Sequence, residues 1–169
     1  MRRIRYAVAA SLDGYIAGPN GEADWIIMDP ALDFSSFIEQ FDTVLLGRRT
    51  FETMAASGNP GMPGMKTIVF SRTLRQKDYP DVTIVAENSK ETLETLRQQP
   101  GKDIWLFGGG SLSGSLLTAG LVDTMEIAII PVLLGGGIPL LASPKVTKLK
   151  LTNHKIYKTG IVSLEYAIQ

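Results

Sequence analysis

The chain has 169 residues, 44% hydrophobic and 20% charged, enough for one domain with a core that needs no metal or crosslink. Lys plus Arg and Asp plus Glu number 17 each, so no overall field draws the chain to nucleic acid or to an anionic membrane. With no cysteine there are no disulfides, thiolate nucleophiles or cysteine-ligated metals, which fits a cytoplasmic protein.

The basic start at Arg2, Arg3 and Arg5 leads into an apolar run, Tyr6 to Ala10, that is too short for a signal peptide. Ile4 to Ala10 predicts a buried strand. The stretch from Ser11 to Asp24, rich in Asp, Gly, Pro and Asn, predicts a long loop. A short helix is expected over Asp33 to Gln40, capped by Asp33, with Phe34, Phe37, Ile38 and Phe41 on one face. Thr43 to Leu46 predicts a strand, and Arg48 to Ala56 the helix after it. Past the Gly- and Pro-rich Gly58 to Gly64, strands are expected over Lys66 to Phe70 and Val82 to Val85. Asn88 and Glu91 form a capping-box-like pair opening a helix that Pro100 ends.

Ile104 to Phe107 predicts a strand running into three glycines and a helix over Ser111 to Ala119, with Gly120 as its C-terminal stop. Met125 to Ile130 predicts another strand. The apolar stretch from Met125 to Ala142 contains Glu126, two prolines and three glycines, so it cannot be a membrane span. Alternation at Leu149 and Leu151, and again from Val162 to Ile168, predicts two antiparallel strands joined near Lys158, Thr159 and Gly160. The expected fold is a single three-layer α/β domain with a mixed, mainly parallel sheet and an antiparallel C-terminal hairpin.

Three strand ends carry residues suited to phosphate. After Phe107 come Gly108, Gly109 and Gly110, then Ser111 and Leu112 at a helix start, where free N–H groups and the helix dipole favour an anion. Gly47, Arg48, Arg49 and Thr50 open another helix, and cations there oppose the dipole unless an anion is bound. Ser71 and Arg72 follow the next strand. Arginine forks suit phosphate, which points to NADPH over NADH. The third glycine of a Rossmann fingerprint would fall at Ser113, and the Lys of a P-loop is missing, so neither motif is present.

SLDGYIA, GRRTFE, FSRT, FGGGSL and PVLLGGGIPLL, in that order, resemble the dihydrofolate reductase-like superfamily. They are most similar to the C-terminal reductase domain of the bifunctional riboflavin-biosynthesis deaminase–reductase. The resemblance implies a sheet of about eight strands, an NADPH cleft and often a homodimer. It implies that Gly47, Arg48, Arg49 and Thr50 hold cofactor phosphates and that Ser71 and Arg72 reach the adenosine 2′-phosphate. By the same token Gly108, Gly109, Gly110, Ser111 and Leu112 wrap the pyrophosphate, with a cis peptide between Gly108 and Gly109. Ala9, Ile16 and Ala17 line the nicotinamide end.

The family's acid follows a loop tryptophan; here Trp25 is followed by Asp29 and Asp33, neither in the family register, and Asp33 is the first candidate. Where dihydrofolate reductases offer a threonine to substrate, this chain has Ala128. The implied function is reduction of a pyrimidine- or pterin-like heterocycle, most specifically 5-amino-6-(5-phosphoribosylamino)uracil. Dihydrofolate reduction and non-catalytic ligand binding are the alternatives. A zinc deaminase is excluded, since its Cys and His ligands are missing. The one histidine, His154, is read as a surface or packing residue, and no metal site is expected. Glu126, alone in an apolar strand, is read as a strand-end charge reaching solvent ahead of a substrate contact. Phe34, Phe37 and Phe41 are read as core, and Gly135 to Gly137 as either a connector or a loop at the substrate mouth.

Overall fold

The structure, a computed structural model, describes residues 1–142 and 145–169. Its centre is an eight-stranded sheet in the order β5-β4-β3-β6-β1-β7-β10-β9. Those strands are β1 (Ile4–Ser11), β3 (Phe41–Gly47), β4 (Lys66–Phe70), β5 (Thr83–Val85), β6 (Asp103–Gly108), β7 (Thr124–Ile130), β9 (Leu149–Ile156) and β10 (Val162–Ile168). All pairings from β5 to β7 are parallel, while β10 runs antiparallel to both β7 and β9. The expected hairpin is therefore present, closed by a turn in which Gly160 N–H donates to the Tyr157 carbonyl.

Side-chain alternation divides the core between the two faces of this sheet. On one face Ile4, Tyr6, Leu45, Ile104 and Leu106 pack under α3 (Ser89–Gln98) and α4 (Gly110–Thr118). On the other, Ala7, Val44, Leu46, Val69 and Trp105 meet α1 (Phe34–Ile38) and α2 (Arg48–Ala56), whose Phe51 is fully buried. Helix α1 is two turns at most, held by aromatic packing: the Phe37 ring stands edge-on to Trp105 at 5.3 Å and to Phe41 at 5.0 Å. Phe41 is core and Phe37 packs partly buried against it, as expected, but Phe34 leaves 42% of its surface open.

Three expectations are corrected. The loop from Ser11 to Asp24 contains a strand, β2 (Tyr15–Ala17), paired with β8 (Ile138–Pro139) in a separate two-stranded sheet. Strands this short carry no periodicity, and the partner lies more than 120 residues away. Asn88 does precede α3, but in the left-handed conformation, and its side chain makes no cap; only its carbonyl is used, by Thr92 N–H. Glu126 is mostly covered rather than set out in solvent. Arg5, which lies opposite Thr124 two residues along the β1–β7 pairing, reaches diagonally and donates to both its oxygens at 2.6 and 2.7 Å. Among the described residues no helix is long and apolar enough to cross a membrane.

Candidate functional site

Strands β4, β3, β6 and β1 are consecutive in the sheet and parallel, so their C-terminal ends form one edge. Register puts Gly47 beside Phe70, and Leu46 beside Gly108. A Cβ built on Gly47 would lie 3.7 Å from the Gly108 carbonyl oxygen, from Gly109 N and from the Leu112 side chain. One on Gly109 would lie 3.4 Å from Thr50 Oγ1 and 3.7 Å from Ile16 Cδ1. Thus Gly47, Thr50, Gly108, Gly109, Leu112 and Ile16 converge, and the peptide between Gly108 and Gly109 is cis.

Both helices that begin here, α2 and α4, have a glycine as N-cap and no side-chain cap. The first N–H groups of a helix have no partner within it. At α1 a cap is present: the Asp33 carboxylate accepts from Ser36 N–H at 3.0 Å and from its hydroxyl at 2.6 Å. Two uncapped, positively polarised helix ends therefore meet at neighbouring strand tips. Arg49 is exposed beside them. Arg48 pairs with Glu52 one turn on, at 3.0 Å, so its charge is partly answered.

A cavity of about 420 Å³ opens at this edge, lined by Arg49, Gly110 and Ser111 together with Pro19, Gly137, Ile138, Pro139 and Ala142. Of the second group, the sequence reads Gly137 as part of a connector or a loop at the substrate mouth, while the site role of Pro19 and Ala142 escapes it, because the position of this segment depends on the β2–β8 pairing. Gly110 has a packing reason of its own. A Cβ there would fall 2.2 Å from the Pro139 carbonyl oxygen, and one on Gly114 would fall 2.3 Å from that of Ala142. The 139–142 segment thus lies flat against α4. Gly135 to Gly137 leads into β8, and a Cβ on Gly137 would meet the Ala17 carbonyl oxygen at 2.2 Å.

Ser71 is buried at the tip of β4, and its hydroxyl accepts from Leu74 N–H at 3.0 Å, shaping the turn that leaves Arg72 exposed. Ala9, near the end of β1, is half-buried beside Ala128 of β7, which in turn faces Ser163 of β10. Three small side chains therefore floor the sheet face next to α1. Asp29 sits at the same end of the molecule. Only 6% exposed, it accepts from Ala31 N–H at 2.8 Å and from the Thr159 hydroxyl in the β9–β10 turn at 2.8 Å. These bonds, Ala31's first, hold its carboxyl below the usual range, and the Ser36 bonds do the same for Asp33. His154 is exposed on β9.

The sheet order, the three-layer packing and the glycine-capped helix ends define a dihydrofolate reductase-like fold. The dihydrofolate reductase of Enterococcus faecalis, complexed with NADP(H) and RAB-propyl, superposes with a TM-score of 0.70 at 22% identity, covering 99% of this chain and 96% of its own. The chain belongs to the RibD C-terminal domain family, whose sequence profile matches residues 2–163. The uncharacterized protein YyaP of Bacillus subtilis (strain 168) is 38% identical over 98% of this chain and 94% of its own length. A crystal structure from Shewanella sp. PV-4, of a protein provisionally assigned to riboflavin biosynthesis, matches with a TM-score of 0.84 at 25% identity, covering 100% and 99% of the two chains.

Proposed function

We propose that this protein is an NADPH-dependent reductase of a pyrimidine- or pterin-like heterocycle. The observation that carries the reading is the meeting of two uncapped helix N-termini, with Arg49 beside them, at adjoining strand tips. Two phosphate groups of one ligand suit that pair of donors and would offset the cation–dipole conflict at α2. Gly47, Arg48, Arg49 and Thr50 would then hold phosphates, and Gly108 to Leu112 would hold the pyrophosphate. Ser71 and Arg72 would meet the adenosine 2′-phosphate, leaving Ala9, Ile16 and Ala17 at the nicotinamide. When bound, NADPH would supply a hydride to a C=N bond of the substrate, in the ring of a pterin or in the opened ribosylamino arm of an aminouracil.

The chain's own part is to seat the ring on the Ala9–Ala128 floor, to exclude water and to manage one proton. Asp29 and Asp33 are the candidates for the proton. Both oxygens of each are already hydrogen-bonded, those of Asp33 in the α1 cap and those of Asp29 to Ala31 and Thr159, so either carboxylate would act by orienting the water that delivers it. Of the compound that the family suggests, 5-amino-6-(5-phosphoribosylamino)uracil, the reading commits to the ring. It includes a cytoplasmic homodimer, supported by the exposed apolar side chains Leu149, Leu151 and Ile156 on edge strand β9. Light scattering should give twice the chain mass; a monomer at all concentrations would remove the dimer.

The test of the cofactor is a titration of NADPH followed by nicotinamide fluorescence. Arg72→Ala should weaken NADPH binding roughly tenfold with NADH unchanged, the loss of one charge-assisted phosphate contact. An unaltered preference would remove Arg72 from the site, and no binding at all would sink the reading.

A further inference from the structure

One wall of the cavity is the strap of residues 139–142, whose Pro139 and Ala142 line it together with Ser111. Two backbone bonds hold the strap. Leu140 N–H donates to the Gly14 carbonyl at 2.9 Å, and Ala142 N–H to that of Gly110 at 3.1 Å. A third bond comes from the core: Tyr6, on β1 and only 1% exposed, donates from its hydroxyl to the Leu140 carbonyl at 2.6 Å. That carbonyl oxygen would lie 3.4 Å from a Cβ built on Gly110, so the bond ends beside the first turn of α4. A polar atom inside an apolar core thus reaches out to fix the strap that borders the site.

Next to that phenol is a hydroxyl without a partner. Ser113, one turn into α4, is 0% exposed, and its Oγ makes no hydrogen bond. The two side chains meet at Gly108, where a built Cβ would lie 3.6 Å from Ser113 Oγ and 3.8 Å from Tyr6 Cε2. Burial pushes the Tyr6 phenol above its ordinary range, and Ser113 is near enough to draw it partly back. A buried hydroxyl left unpaired is unfavourable, and such a group in a native protein calls for a reason. Among the described residues Ser113 is the one buried side chain in this condition.

We propose that Tyr6 is a positioning residue with two acceptors: Leu140 while the strap lies on α4, and Ser113 when the strap lifts. Lifting takes the Leu140 carbonyl away from a phenol buried in the apolar core. With no other acceptor, that phenol would hold the strap shut. Ser113 Oγ, unpaired in the closed arrangement, accepts from it, so opening exchanges one hydrogen bond for another. The strap covers the first turn of α4 beside Ser111, so its lifting widens the way to the N–H groups there. Resting on the reductase reading, the latch sets how fast NADPH enters and leaves the cleft.

Deuterium exchange of the Leu140 and Ala142 amides in the unliganded whole protein reads the opening, with the slowest β6 amides as reference for global stability. Tyr6→Phe should speed both roughly fivefold, the loss of one hydrogen bond from the closed arrangement. Ser113→Ala should slow them by a similar factor, because the lifted strap then leaves the phenol without an acceptor. In the double variant Ser113→Ala should add nothing to Tyr6→Phe, since a phenyl ring has no proton to donate. A packing role alone gives neither the opposite signs nor the vanishing second effect. Exchange in Tyr6→Phe no faster than in the wild type overturns the latch, as does a Ser113→Ala effect equal on both backgrounds. Stopped-flow fluorescence then follows NADPH, which should leave Tyr6→Phe faster and Ser113→Ala more slowly than the wild type. Equal dissociation rates in all three would overturn the gating of the cleft. If the amides behave as expected and the wild type binds no NADPH, the latch stands and the cofactor assignment fails.

Discussion

Glu126 accepts twice from Arg5, whose guanidinium also donates to Gln40 at 2.7 Å and stands 4.7 Å from the centre of the Phe41 ring. Both side chains are mostly covered, at 8% and 14% exposure. Glu126→Leu would leave a buried cation short of its main partner and should cost about 3 kcal/mol in urea unfolding, more than a surface charge change. A loss below about 0.5 kcal/mol would show that Gln40 and Asp103 suffice. Sequence could not disclose this pair. An isolated Glu in an apolar strand has the same signature whether it reaches water or a cation supplied by a strand 121 residues earlier. The residues at the strand tips were easier to read, because glycines and arginines clustered at strand ends have few structural uses. Asp33 as a cap was also readable, since its partner is three residues away.

At the level of elements, hydrophobic runs located the main strands to within about two residues, and the helices followed from the segments between them. What periodicity left out are contacts across long separations. Strands β2 and β8 are three and two residues long and exist because each pairs with the other. The glycines of α4 show the same limit. Three in a row looked like a phosphate cradle, yet Gly110 and Gly114, one turn apart, also let the 139–142 backbone lie on the helix. Gly114→Ala should therefore push that segment away and lower stability by about 2 kcal/mol, a typical overpacking cost. The melting temperature measures it, and an unchanged value would mean that the segment yields freely.

For the whole molecule, several carboxylates pin loops rather than face solvent alone. Asp13 accepts from Ser11 Oγ at 2.6 Å and from Gly135 N–H at 2.8 Å, joining the loops after β1 and β7. The Ser11 bond leads in holding its carboxyl below the ordinary 3.8, and Asp29 is lowered from the same value. Folded-state values below the unfolded ones stabilise the fold above about pH 4, and that contribution fades as pH falls through the folded values. Stability measured by urea between about pH 5 and 3 should thus drop, and Asp13→Asn should flatten the drop; an equal slope in the variant would contradict the assignment.

The β2–β8 ribbon has a further consequence. Leu140 N–H donates to the Gly14 carbonyl, and Ala142 N–H to that of Gly110, so one short segment is stitched to the loop bearing Ile16 and to the start of α4. Whatever steadies one end of that segment steadies the other. Amide protons of Tyr15 and Ala17 should therefore exchange with deuterium more slowly once the far helix end is occupied, and faster in the Gly114→Ala protein.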